Sequence, residues 1–169
     1  MAKSQDTRSH GVEAFVRRAD EGDRFNMFGS LTFIKATGDE TGGAYGLIEQ
    51  RSNAGMVTPL HVHYEEDELW VVMKGRLSIH VDGDTFELGP GDVAFGPRGK
   101  PHAFRVDEDE SRYFIVRNAG GESFFDAVGD PAPDLSLPDP HPTEEQLDRL
   151  NDVLETYEME LLGPPPFDD

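Results

Sequence analysis

The sequence contains no cysteine among its 169 residues. This absence excludes disulfide cross-links and thiolate ligands, so any metal site must be built from histidine and carboxylate side chains. No apolar run approaches the ~18 residues of a membrane span, and the N-terminus lacks the apolar core of a signal peptide. We therefore expect a cytoplasmic protein with no membrane partner, of a length that suits one domain with its own core.

Basic residues are also scarce, with 15 Lys and Arg against 34 Asp and Glu and a net charge of −19. Nucleic-acid binding needs a basic surface that neutralises phosphates, so this charge argues against nucleic acid as a partner. An acidic surface keeps a protein soluble. The charge therefore excludes one class of function without indicating another.

Two blocks framed by glycines carry the residues best suited to chemistry. The first block runs from Gly55 to Gly75 and contains His61, His63 and Glu68. Successive side chains of a strand alternate in direction, so His61 and His63 are expected on the same face. A strand can offer two imidazoles to one ion only at this spacing.

The second block contains Gly91, Pro97, Gly99 and His102. Imidazoles with a single carboxylate suit a first-row divalent metal, and they leave net positive charge for an anionic substrate or dioxygen. Any one of these histidines, taken alone, would be interpreted as an ordinary polar residue at a strand end. Their joint spacing with Glu68 favours a metal site instead.

The two blocks resemble the paired motifs of the cupin superfamily, G(X)5HXH(X)4E(X)6G and G(X)5PXG(X)2H. The sequence departs from the second motif at Val106, where the family often has an asparagine that is not usually a ligand. The resemblance implies an all-β fold, the double-stranded β-helix or cupin jelly-roll barrel. It also implies one divalent first-row metal per chain (Ni, Fe, Mn, Co, Zn or Cu), with four ligands: His61, His63, Glu68 and His102.

Acidic residues crowd beside the expected carboxylate ligand. Glu65 and Glu66 are expected to form a solvated acidic turn. Periodicity alone does not choose between Asp67 and Glu68, because the segment that follows is apolar on both faces. The spacing shared with the cupin family chooses Glu68.

Short apolar segments at regular spacing predict an all-β sandwich or barrel. Asp82-Gly83 is a strong signal for a short hairpin, because glycine tolerates positive φ. The predicted strands cover residues 31–36, 45–50, 69–73, 77–81, 85–88, 93–95, 103–106 and 113–116.

The C-terminal part changes character at a series of prolines, which predict an extended wrap over the barrel. Thr143 and Gln146 have the spacing of a capping box. Apolar residues then follow at helical spacing and predict one amphipathic helix over residues 144–158, packed on the barrel: Leu147, Leu150, Leu154 and Tyr157. The predicted organisation is an N-terminal extension (1–24), a cupin barrel (25–130), and the wrap with its helix (131–169). Within the extension, residues 12–18 are expected to form a short turn of helix or an edge segment.

Four aromatic residues are candidates for a substrate pocket: Trp70, Phe95, Phe104 and Phe114. The alternative for each of them is plain core packing, since aromatic residues dominate protein cores. Trp70 and Phe104 have the stronger case because each lies two residues from an expected ligand and shares its face. His80 and His141 are expected on the sheet surface and in a loop, without a role.

The C-terminal tail resembles single-domain bacterial cupins related to quercetin 2,3-dioxygenase. That resemblance implies a dioxygenase that cleaves a flavonol with dioxygen and loss of carbon monoxide, in which Glu68 is both ligand and general base. Two alternatives remain open, because one fold hosts many chemistries. One is another cupin enzyme acting on a small molecule, such as an isomerase, decarboxylase or cyclase, and the other is a non-enzymatic binder.

A homodimer is also expected, since related cupins commonly pair through barrel faces. Leu69 and Val71 would supply apolar side chains on the face away from the barrel interior. The alternative is that the proline-rich wrap and the C-terminal helix cover that same surface.

Overall fold

The computed structural model describes residues 12–167, and its strands form two antiparallel β-sheets packed face to face. Residues 1–11 of the expected N-terminal extension lie outside the described residues. The strands are β1 Arg24–Met27, β2 Ser30–Ala36, β3 Gly46–Ser52, β4 Leu60–His63, β5 Glu68–Lys74, β6 Leu77–Val81, β7 Asp84–Leu88, β8 Val93–Gly96, β9 His102–Val106, β10 Ser111–Arg117, β11 Asp130–Pro131 and β12 Met159–Gly163. The helices are α1 Ser123–Val128 and α2 Glu144–Val153.

The larger sheet has the strand order β11-β1-β2-β3-β10-β5-β8, and the smaller sheet has the order β12-β4-β9-β6-β7. This arrangement confirms the predicted all-β jelly roll, although the two sheets do not close into one continuous barrel. Each predicted strand is present within two residues of its expected ends, and β6 and β7 form the hairpin expected at Asp82-Gly83. Asp82 and Gly83 both have positive φ, as this tight turn requires.

Side-chain alternation on β5 builds the interior. Glu68, Trp70 and Val72 are buried and face the second sheet, while Leu69 and Val71 face outward. The core between the sheets joins Trp70 to apolar residues of the opposite sheet such as Ile79 and Phe104. The inward face of β5 therefore combines one carboxylate with apolar neighbours.

The outward face of the larger sheet is also apolar over three neighbouring strands. In register, Leu69 lies opposite both Phe95 and Val116, and Val71 lies opposite both Val93 and Phe114. Phe95 and Val93 are 54% and 55% exposed. We call these six residues the outer apolar face.

The predicted C-terminal helix is present but shorter than expected. Thr143 caps it with the full capping box, in which the Thr143 hydroxyl accepts from the Gln146 backbone N–H. The helix ends at Val153, and the following turn includes Glu158 in the left-handed region, with φ 47°. The prediction of a helix over 144–158 was therefore wrong for residues 154–158.

The chain after this turn returns to the smaller sheet as β12, which pairs with β4. Met159 and Leu161 pack against the core, so the tail supplies an edge strand beyond the predicted wrap and helix. On α2, Leu150 is buried, but Leu147 is 42% exposed and lies outside the core. Leu154 and Tyr157 contact the core from the turn rather than from a helix.

Residues 12–18 form neither a helix nor a strand. Arg17 nevertheless attaches this segment to the larger sheet, because its guanidinium donates to the Lys35 carbonyl and to the Glu40 carboxylate. The segment forms no helical turn, so that part of the expectation was wrong, and side-chain contacts hold it against the sheet in place of a backbone ladder. Within the described part of the chain, no helix is long and apolar enough to cross a membrane.

Candidate metal centre

Three strands bring the four expected ligands together in the interior. Strand β4 carries His61 and His63 on one face, β5 begins with Glu68, and β9 begins with His102. His61 and His102 are direct partners in the ladder between β4 and β9. All four side chains are buried, and His102 is 0% exposed.

One ligand atom from each of the four residues lies within 4.8 Å of the others. His102 Nε2 lies 3.3 Å from Glu68 Oε2, and His63 Nε2 lies 3.9 Å from Glu68 Oε1. Separations of this size leave room for one ion to contact all four donors. The resemblance in sequence therefore corresponds to a compact set of donors in space.

Backbone carbonyls orient two of the imidazoles. His61 Nδ1 lies 2.8 Å from the Pro59 carbonyl, and His102 Nδ1 lies 3.0 Å from the Lys100 carbonyl. A carbonyl oxygen only accepts, so in each ring Nδ1 carries the proton and the neutral ring keeps a lone pair on Nε2. This is the tautomer that a metal-binding histidine needs.

The lone pair of His102 Nε2 has no hydrogen-bond partner although the atom is fully buried. It lies close to the Glu68 carboxylate, and two such acceptors repel unless a proton or a cation lies between them. A buried imidazolium would carry a large desolvation cost. A divalent metal satisfies both acceptors, so the four residues fit such an ion.

The protonation states also suit a metal. Burial lowers the pKa of His61 to about 4 and that of His63 to about 2, so both rings are neutral at pH 7. Burial acts to raise the pKa of Glu68, but the charge of the nearby Arg117 guanidinium is the largest of the opposing effects, and the pKa lies below its usual range. His61, His63 and Glu68 are thus deprotonated without a metal.

Sequence reasoning missed Arg117, which lies on the inward face of β10 directly opposite Glu68. Its side chain is almost fully buried, with Nε 3.3 Å from Glu68 Oε1 and Nη2 3.3 Å from His63 Nδ1. The signal was present in the alternation of β10, which places Arg117 on the same face as Tyr113 and Ile115. A charged residue at an inward position of an otherwise apolar face indicates a buried partner.

Glu66 was expected in a solvated turn, and the structure corrects this. Its side chain is only 14% exposed and forms an ion pair with Arg117. Burial raises the pKa of Glu66, while Arg117 acts in the opposite direction. Glu65 is exposed, and Asp67 turns outward to pair with Arg98 at 2.9 Å. The structure therefore agrees with Glu68, rather than Asp67, as the inward carboxylate.

A narrow cavity leads from the four residues between the sheets. The space open to the centres of water molecules is about 60 Å³, enough for only a few waters. Glu68 and Arg117 line the cavity together with His61 and His63, and the remaining wall is mainly apolar. Side chains from α1, α2 and β12 form a cap over it: Phe124, Phe125, Leu150, Met159 and Leu161.

The four aromatic candidates have different positions. Phe104 lines the cavity. Trp70 is fully buried behind it, with its ring 5.5 Å from that of His102 and 6.2 Å from that of Phe104. Phe95 and Phe114 belong to the outer apolar face, because both occupy outward positions of their strands. Of these four aromatic residues, Phe104 alone lines the cavity.

Two further histidines of the described residues, His80 and His141, lie away from this centre. His80 is half-buried on β6 and its Nδ1 lies 2.8 Å from the Thr85 hydroxyl. His141 is exposed in the loop before α2 and contacts Asp139. Both positions agree with the expectation of a sheet-surface and a loop residue.

The cupin domain family matches residues 49–116, which include all four donors as well as β5 to β9. The match covers about two fifths of this chain. Within the matched segment the paired motifs lie on the neighbouring strands β4 and β9 of the smaller sheet and on β5 of the larger sheet.

Among curated proteins, the chain is similar to the quercetin 2,3-dioxygenase of Bacillus subtilis strain 168, with 28% identity over 132 residues. The match covers 78% of this chain but only 39% of that protein, so the chain spans about two fifths of the relative's length.

Two solved structures show the same cupin fold. A predicted oxalate decarboxylase from Thermotoga maritima superposes with a TM-score of 0.55 at 19% identity, over 62% of this chain and 99% of the other. An RmlC-like cupin from Shewanella frigidimarina gives a TM-score of 0.55 at 14% identity, over 65% and 96% of the two chains. At these identities the likeness concerns the fold alone.

Proposed function

We propose that the protein is a metal-dependent cupin dioxygenase that cleaves a flavonol, or a similar enolizable aromatic small molecule, with dioxygen. The observation that carries the proposal is an ionised, buried carboxylate, Glu68, among neutral imidazoles at one end of an apolar cavity. Such a site can hold a metal and accept a proton in the same place. The similarity to a quercetin 2,3-dioxygenase supports a flavonol as the substrate class.

His61, His63, Glu68 and His102 would hold one divalent first-row metal ion. When bound, the ion supplies Lewis acidity, which stabilises the anionic oxygen of a deprotonated enol or phenol. The neutral imidazoles leave this positive charge largely uncompensated. The site therefore favours a substrate that becomes an anion.

Glu68 is the residue that removes the proton of the substrate hydroxyl. Its carboxylate is held ionised by Arg117, whose Nε lies 3.3 Å from Glu68 Oε1. The apolar wall excludes water, so the proton passes to Glu68 rather than to solvent. Phe104 contributes an aromatic surface against which a flat substrate can pack.

The cap must move before a flavonol can enter. The present cavity has room for only a few water molecules, fewer than a three-ring substrate would displace, so the aromatic side chains of α1 and the edge strand β12 have to separate from the opposite wall. Cap motions of this kind gate many active sites. The α1 helix has only 6 residues, which suits a segment that shifts as a unit.

The small cavity also favours a second candidate. An isomerase, decarboxylase or cyclase of the cupin superfamily, acting on a smaller enolizable molecule, would need no opening of the cap. The same metal ligands and the same base would serve that reaction, because they act on an acidic hydroxyl or an enol in either case. A protein that only binds a metal and a small molecule is the third outcome to be tested.

Oxygen uptake separates these candidates. The protein is reconstituted with each first-row metal in turn, and dioxygen consumption is followed with a flavonol and with a panel of small enolizable acids and ketones. Metal-dependent oxygen consumption with the flavonol supports the dioxygenase. Turnover of a small substrate without oxygen uptake supports the second candidate, and metal binding without any turnover supports the binder.

We also propose a homodimer formed through the outer apolar face. The face crosses three neighbouring strands, or four with Leu47 of β3, and four strands give a width of about 19 Å. An exposed apolar patch of this kind marks an association surface. Light scattering should give about twice 18.8 kDa, and Phe95→Glu should return the protein to a monomer. A wild-type mass of 18.8 kDa would refute the dimer.

A further inference from the structure

His63 differs from the other two histidines in the environment of its second ring nitrogen. His61 and His102 each direct Nδ1 at a backbone carbonyl. Among residues 12–167, no hydrogen bond joins His63 Nδ1 to a carbonyl. Its neighbours on that side are Arg117 Nη2, at 3.3 Å, and Glu66 Oε2, at 3.9 Å.

This environment conflicts with metal binding through Nε2 of His63 unless one neighbour accepts the proton on Nδ1. A neutral histidine that binds a metal through Nε2 carries its proton on Nδ1 and needs an acceptor there. A guanidinium has only donors, so Arg117 cannot accept that proton. The Glu66 carboxylate is the acceptor on this side of the ring, about 1 Å beyond hydrogen-bond length.

We infer that Glu66 is a positioning residue for the metal centre, because its carboxylate accepts the Nδ1–H of His63 when Nε2 binds the ion. The inference rests on the proposed metal site and adds a fifth residue to it. Arg117 holds Glu66 in place through their ion pair, and a small rotation of the imidazole or the carboxylate closes the remaining gap. The arrangement is a carboxylate–histidine–metal series of the kind that fixes ring orientation and raises ligand basicity.

The surroundings of Arg117 explain why the carboxylate remains in position. The guanidinium carbon lies 5.5 Å from the Phe124 ring and 5.7 Å from the Phe125 ring, so α1 covers it from the cavity side. Its positive charge balances both Glu66 and Glu68, which lie on either side of His63. The guanidinium therefore offsets part of the repulsion between the two carboxylates.

The test compares Glu66→Gln with Glu65→Gln, its exposed neighbour, which removes the same charge from the same turn. Zinc affinity is measured by competition with a chelator on the full-length protein, and thermal melts of the metal-free variants establish that both are folded. Glu66→Gln should weaken zinc binding by about 10–100-fold, the usual loss for a group that supports a ligand. Glu65→Gln should leave the affinity unchanged.

A second readout separates positioning from a general effect of charge. Long-range ¹H–¹⁵N NMR of the zinc-loaded protein reports which nitrogen of each ring carries the proton. His63 should be protonated on Nδ1, and Glu66→Gln should shift this resonance while those of His61 and His102 stay in place. Equal affinities for the two variants, or a His63 proton on Nε2, would overturn the inference. Absence of zinc binding in the wild-type protein would instead show that the proposed metal site itself is wrong.

Discussion

The metal-free protein should lose stability as the pH falls from 8 to 5, because two buried histidines resist protonation. The unfolded chain takes up a proton on each imidazole near pH 6.5, whereas the folded protein does so only near pH 4 for His61 and pH 2 for His63. Below pH 6.5 the unfolded state therefore binds more protons, and stability falls with pH. The loss for His61 is complete near pH 4, and that for His63 continues to about pH 2.

The expected magnitude is large enough to measure. Each pH unit between the folded and unfolded pKa values is worth about 1.4 kcal/mol. At pH 5 each histidine is therefore expected to cost about 2 kcal/mol relative to pH 8, or about 4 kcal/mol together. Domains of this size are stable by only about 5–15 kcal/mol, so a large part of the total stability would be lost.

Urea unfolding of chelator-treated protein at pH 8, 7, 6 and 5 measures this loss. The fluorescence of Trp70, the only tryptophan and a fully buried one, reports the transition. The matched control is the double variant His61→Asn, His63→Asn, since asparagine does not titrate and the variant keeps every other ionisable group. The wild type should lose about 4 kcal/mol more than this variant between pH 8 and pH 5. Parallel stability profiles for the two proteins would refute the reasoning.

Three further predictions follow from the same structure. His102→Ala removes the ligand whose Nε2 is buried without a partner, so metal content by atomic emission should fall sharply, and full stoichiometric metal would contradict the assignment. Glu68→Gln should lose 10²–10⁴-fold in turnover at full metal occupancy, because an amide cannot accept the substrate proton; normal turnover per metal would exclude the base. Thr143→Ala deletes the acceptor for the Gln146 N–H and should cost ~1 kcal/mol in urea unfolding, whereas unchanged stability would mean that the cap contributes nothing.

The sequence predicted the strands well because their signals are local. Alternation and turn residues delimit a strand without reference to its partners, which is why β5 to β10 have nearly their expected bounds. The same alternation correctly placed Trp70 on the face of Glu68. The spacing of the motifs then brought three strands to one site, because their residues share an inward face.

The wrong predictions concern residues whose orientation or secondary structure depends on partners distant in the sequence. Glu66 is separated by two residues from a ligand, yet it is drawn inward by a cation about fifty residues away in the chain, Arg117. The apolar residues after α2 fit the period of a helix as well as that of a strand. They form β12 because they pair with the edge of β4. Phe95 and Phe114 are aromatic like core residues, but their strand positions direct them outward. A pattern within one segment contains no information about these distant partners.

X-ray absorption of the metal-reconstituted protein tests the metal centre most directly. We expect one first-row metal per chain with three imidazole nitrogens and one carboxylate oxygen, at about 2.0–2.2 Å if the ion is zinc. The signal should lose one imidazole in His102→Ala. A protein that binds no metal after reconstitution, or a bound ion without imidazole scattering, would contradict the assignment of His61, His63, Glu68 and His102 as ligands.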